Sequence, residues 1–68
     1  MVSEQPTKKV LKLLRSEGWH PVRTSGSHTQ WRAPSGRLVT VPDGHRTISP
    51  GVYRMIVRAI EEERDEAL

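Results

Sequence analysis

The chain alternates between two hydrophobic rhythms. From Thr7 to Gly18 the apolar residues Val10, Leu11, Leu13 and Leu14 gather on one side of a helical wheel, while Lys8, Lys12 and Arg15 recur at i, i+4, i+7 on the other. Thr7 is a candidate N-cap and Gly18 suits the left-handed C′ position, so the spacing predicts a first helix between them. Ser3 is an alternative cap. After Gly18 the period falls to two, and Trp19–Thr24, Ser27–Ala33 and Arg37–Val41 read as three short strands parted by Ser25-Gly26 and Pro34-Ser35-Gly36. These form an antiparallel meander in the order of the chain, with Pro21 marking the first strand as an edge because it lacks a ladder donor.

Strand alternation assigns the faces. Thr29, Trp31 and Ala33 share one side of the middle strand, and the large indole sends that side toward the core. His28, Gln30 and Arg32 then face solvent, as do Leu38 and Thr40 on the third strand, whose Val39 and Val41 turn inward. On the first strand Trp19, Pro21 and Arg23 alternate with His20, Val22 and Thr24, and a one-residue slip exchanges their faces. Pro42 to Ile48 reads as a loop around the turn signal Asp43-Gly44. Ser49-Pro50 then opens a second helix as N-cap and N1, with Tyr53, Ile56, Val57 and Ile60 on one stripe. The expected fold class is α+β: α-β-β-β-α, a three-stranded antiparallel sheet with two helices on one face.

Size and charge narrow what such a fold does. At 68 residues the chain is a single domain, residues 1–68, too small for a deep cofactor cavity, and without cysteine it holds neither a disulfide framework nor a thiolate metal site. The net charge of +3 averages two unlike parts. Residues 1–60 carry ten Lys and Arg against Glu4, Glu17 and Asp43, a net of +7, whereas residues 61–68 hold five carboxylates against Arg64, a net of −4. Carboxylates oppose the dipole at the end of a helix, so order is expected over about residues 6–62 and fraying in the acidic tail beyond Glu62. A basic domain favours polyanions, above all nucleic acid. No apolar run reaches membrane-spanning length and Met1–Pro6 lacks a signal-peptide core, which points to a cytoplasmic protein with no membrane partner.

The candidate chemistry centres on Gly26-Ser27-His28. Gly26 permits positive φ and close approach of a ligand to the backbone, and His28 projects from the open sheet face with a pKa range suited to proton transfer. Arg23 is a candidate phosphate clamp. Trp19 and Tyr53 fit core packing better than base stacking. The three histidines lack the spacing and carboxylate partners of a metal site, and no Ser-His-Asp set, Walker loop or dinucleotide fingerprint is present, so neither metal nor cofactor is expected.

The ordered series Val10-Leu11-Lys12-Leu13-Leu14, Gly18-Trp19, Arg23, Gly26-Ser27-His28, Thr40-Val41-Pro42 and Pro50-Gly51-Val52-Tyr53-Arg54-Met55-Ile56 resembles the HicA family of small bacterial toxins, over residues Pro6 to Ile60. The resemblance implies a fold like that of double-stranded-RNA-binding domains, metal-independent cleavage of mRNA by an endoribonuclease toxin with His28 as the catalytic histidine, and inhibition by a HicB-type antitoxin. It departs from the family pattern at Thr29, where a second histidine is common, and at Gly44, where a loop histidine often stands and here His45 is next in line. In that scheme Arg23, Gly26, Ser27 and Arg32 meet RNA beside His28, and Lys8, Lys12 and Arg15 hold its backbone. A second acid or base would be His45 or His20. The rival expectations are a non-catalytic RNA-binding module of the same fold and a protein-interaction domain.

Overall fold

A computed structural model describes residues 3–67 of the chain. Met1, Val2 and Leu68, which belong to the expected single domain and its tail, lie outside the described residues. The elements are β1 (Gln5–Pro6), α1 (Thr7–Ser16), β2 (His20–Ser25), β3 (His28–Arg32), β4 (Leu38–Val41), β5 (Thr47–Ile48) and α2 (Pro50–Ala67). The large sheet is the expected meander, antiparallel in the order β2-β3-β4. Both helices cover one face of it, so the α-β-β-β-α class holds.

One core joins the two layers. Val10 and Leu14 of α1, Ile56, Ala59 and Ile60 of α2, and Trp31 and Val41 of the sheet are all buried in a single cluster with Trp19, Ala33 and Ile48. Along β3 burial alternates as the sequence predicts, with Thr29 and Trp31 covered while His28, Gln30 and Arg32 are exposed. Val39 and Val41 turn inward and Leu38 and Thr40 outward. Trp19 is a core residue, 2% exposed, and Tyr53 packs against the same cluster.

Helix α1 ends as expected and begins otherwise. Gly18 takes φ +86°, its N–H donates to the Arg15 carbonyl and that of Trp19 to the Leu14 carbonyl, the paired bonds of a Schellman stop. At the other end the N-cap is Pro6, and Thr7 is the first helical residue and caps nothing. Its hydroxyl donates to the His45 carbonyl at 2.6 Å and its N–H to the Arg46 carbonyl at 2.9 Å. Those bonds belong to a feature absent from the sequence reading: Pro42–Ile48 is not all loop, because Thr47–Ile48 pairs antiparallel with Gln5–Pro6. Two-residue strands are too short to carry a period.

Helix α2 starts where Ser49-Pro50 predicts, with the Val52 N–H directed at Ser49 Oγ at 3.4 Å. It continues to Ala67, past the Glu62 at which fraying was expected. Three of its side chains past Glu61 pair with other elements. Glu62 accepts from Arg37 at 2.7 Å, Glu63 from the Ser35 hydroxyl, and Arg64 donates through Nε and Nη2 to both oxygens of Glu17, the former at 2.8 Å. The Arg64 guanidinium holds the Glu17 carboxyl below the usual glutamate range. Glu62 and Glu63 thus dock on the β3–β4 turn, and Arg64 on the end of α1.

Candidate functional site

The face of the sheet away from the helices is organised by a hairpin and a bulge. Ser25 pairs with His28, leaving Gly26-Ser27 as a two-residue loop. Gly26 has φ +60° and Ser27 does not have positive φ, the pattern of a type II′ turn whose first central position favours glycine. No atom lies within 4 Å of where a Gly26 Cβ would sit, so the space beside this turn is open.

The bulge settles the faces of β2. Pro21 is opposite Trp31 and Arg23 opposite Gln30, with the register shifting between them at Val22. Strict alternation would send His20 and Arg23 to opposite faces. The extra residue instead places His20, Arg23 and Ser25 together on the open face, and Pro21 and Thr24 on the helix side with Trp31 and Thr29. Combining both ladders, three rows cross the open face: Ser25 and His28; Arg23, Gln30 and Thr40; His20, Arg32 and Leu38. No carboxylate and no Phe, Tyr or Trp side chain belongs to these rows. Arg23, Ser25, His28, Gln30 and Thr40 line a shallow concavity of about 220 Å³.

His28 is exposed at the first position of β3, its Nδ1 3.4 Å from Ser27 Oγ. The loop at residues 42–46 braces the hairpin from behind. Gly44 donates its N–H to the Ser27 carbonyl at 2.9 Å, and Asp43 accepts from the Thr29 hydroxyl at 2.9 Å, which also contacts Thr24 Oγ1 at 3.2 Å. Thr29 is 5% exposed and faces the helix side, so the position after His28 cannot present a side chain to the open face.

The other candidate residues divide accordingly. Arg23, Gly26 and Ser27 surround His28, and Arg32 stands two rows away. Lys8, Lys12 and Arg15 belong to the helical layer and do not share the open face. Lys12 lines a groove with Tyr53 between the helices, and the Arg15 guanidinium carbon lies 5.2 Å from the centre of the Trp31 ring, on the core side of the sheet. Lys8 follows Thr7 in the turn of α1 that touches the 42–46 loop. Of the two further histidines, His45 is in the loop packed against Ser27, whereas His20 is in the far row, roughly 13 Å along the strand at about 3.3 Å per residue. The sequence reading missed Ser25, Gln30 and Thr40 as lining residues, and missed the bracing by Asp43 and Gly44. Alternation from His28 reaches Gln30, but nothing in the sequence links Gly44 to Ser27.

Among the described residues no three His, Asp or Glu side chains converge, and no helix is long and apolar enough to cross a membrane. No curated protein and no solved structure shows significant similarity to the chain. A family model described as the HicA toxin of bacterial toxin–antitoxin systems matches residues 7–61, which takes in α1, the whole β2-β3-β4 sheet, the bracing loop and most of α2. The chain therefore belongs to the HicA toxin family, the toxin members of bacterial toxin–antitoxin pairs.

Proposed function

We propose that the toxin is an endoribonuclease that cleaves mRNA at the open sheet face, with His28 as its general acid and base. The observation that carries this reading is the shared concavity of His28 and Arg23, open on the Gly26 side and free of carboxylates that would repel a phosphate. His28 takes the proton of a ribose 2′-hydroxyl as that oxygen attacks the adjacent phosphorus. The bond to the 5′-oxygen breaks, that oxygen receives a proton from the imidazolium, and a 2′,3′-cyclic phosphate remains. The chemistry needs no metal ion. One placed acid and base supplies roughly 10²–10⁴-fold, suited to a toxin that needs only slow damage to messages.

Arg23, one row from His28, offsets charge on the phosphate under attack. Gly26 leaves room for the ribose, and Ser27 orients the imidazole through Nδ1. Lys8 is the helix cation best placed to meet a strand running off the His28 end of the sheet, over the 42–46 loop. The antitoxin partner, of HicB type, silences the enzyme by covering His28.

The test is cleavage of a labelled RNA by the wild type and by His28→Ala. Loss of the cyclic-phosphate product with RNA binding retained supports the assignment. Equal product from both proteins removes His28 from the reaction, and binding without product from the wild type identifies a non-catalytic RNA-binding module instead.

A further inference from the structure

The far row of the open face has no task in the cleavage step. His20 and Arg32 are cross-strand neighbours there, both exposed, with Leu38 beside them 46% exposed. Arg32 forms no ion pair with any carboxylate among the described residues. The bulge at Val22 is what puts His20 on this side: it interrupts the ladder, leaves Val22 itself 45% exposed, and turns Pro21 toward Trp31 on the side where Trp19 is buried. It also aligns His20 with Arg23 on the open face, three sequence positions apart.

We propose that His20 and Arg32 form a second phosphate-binding subsite, which holds an RNA phosphate more than one internucleotide step from the one attacked. The inference rests on the reading of the open face as an RNA site. Arg32 is four residues along β3 from His28, about 13 Å at the rise of a strand, too far to reach the same phosphate. Arginine offers a planar fork of donors that matches a phosphate, and the His20 imidazole adds a donor across the strand pair. These rows hold no Phe, Tyr or Trp platform, so the grip is assigned to the phosphate backbone. The subsite therefore sets a minimum substrate length and tolerates many sequences.

The full chain and its Arg32→Ala, Arg32→Gln and His20→Ala variants are titrated by fluorescence anisotropy with 2′-O-methyl oligoribonucleotides, which bind but cannot be cut. A dinucleotide and a hexanucleotide are compared across a salt series. The subsite predicts that Arg32→Ala weakens hexanucleotide binding and lowers its log–log salt slope by about one phosphate contact, while dinucleotide binding is unchanged. Arg32→Gln reproduces the loss, and His20→Ala gives a smaller one. Equal effects on both lengths, or none on the hexanucleotide, overturn it. Cleavage of unmodified hexanucleotide is read in parallel: length-dependent binding without product leaves the subsite standing and removes the ribonuclease reading, whereas product formation indifferent to Arg32 does the reverse.

Discussion

Gly44 and Ser27 are in such close contact that the toxin has no room for a side chain between them. The Gly44 N–H donates to the Ser27 carbonyl at 2.9 Å, and a Cβ built on Gly44 would lie 2.5 Å from Ser27 Cβ and 2.7 Å from its Cα. The obstruction is backbone as well as side chain, so it cannot be relieved by a rotamer change. Gly44→Ala is expected to push the hairpin and the 42–46 loop apart, costing about 1–3 kcal/mol. Thermal unfolding measures the loss, and RNA cleavage at a temperature where the variant remains folded should fall as well, because Ser27 carries His28.

Gly26 is needed for a different reason. Its φ of +60° is the conformation required, while the space around it is empty. Gly26→Ala should cost about 1–2 kcal/mol from backbone strain alone, and Gly26→Asn less, because Asn tolerates the left-handed region better. Denaturant titration of the two variants against wild type checks the order.

Thr29 ties the sheet to the bracing loop through its hydroxyl. Thr29→Val keeps the shape and the strand propensity but removes the donor to Asp43 and the contact with Thr24. A loss of about 1–2 kcal/mol is expected. If the loop positions the hairpin, hydrogen exchange at the Gly44 amide should also quicken in this variant.

The Glu17–Arg64 pair makes the docking of α2 sensitive to acid. Arg64 lowers the Glu17 pKa from its ordinary 4.5, so the folded protein binds that proton less readily than the unfolded chain does. The contribution is in place above the ordinary value and disappears as pH falls through the lowered one. Wild type and Glu17→Gln should therefore differ in unfolding midpoint at neutral pH and converge in acid. A gap that persists unchanged at pH 2 would remove the ion pair from the account.

Much of the architecture was legible along the chain because it rests on local period and on local stop signals. Val10 and Leu14 repeat helically, Thr29 and Trp31 alternate, Gly18 ends a helix and Ser49-Pro50 begins one, and each acts through neighbours a few residues away. The pairing along α2 comes from partners far off in sequence, which no local period marks: Arg64 finds Glu17 across 47 positions and Glu62 finds Arg37 across 25.

The candidate site divides in the same way. Gly26, Ser27 and His28 form a short run that the sequence itself marks, since a II′ hairpin needs its glycine in place and alternation then decides where the histidine points. The sequence by itself thus determined the sheet, the open face and the histidine upon it. Only the tertiary structure decided which cations share that face. A one-residue bulge at Val22 turns His20 to the face that Arg23 shares with His28, while Lys12 and Arg15 stay with the helices across the sheet. A single inserted residue reverses every later side chain on a strand, and whether it is inserted depends on the pairing partner, so no period in the strand's own residues could reveal it.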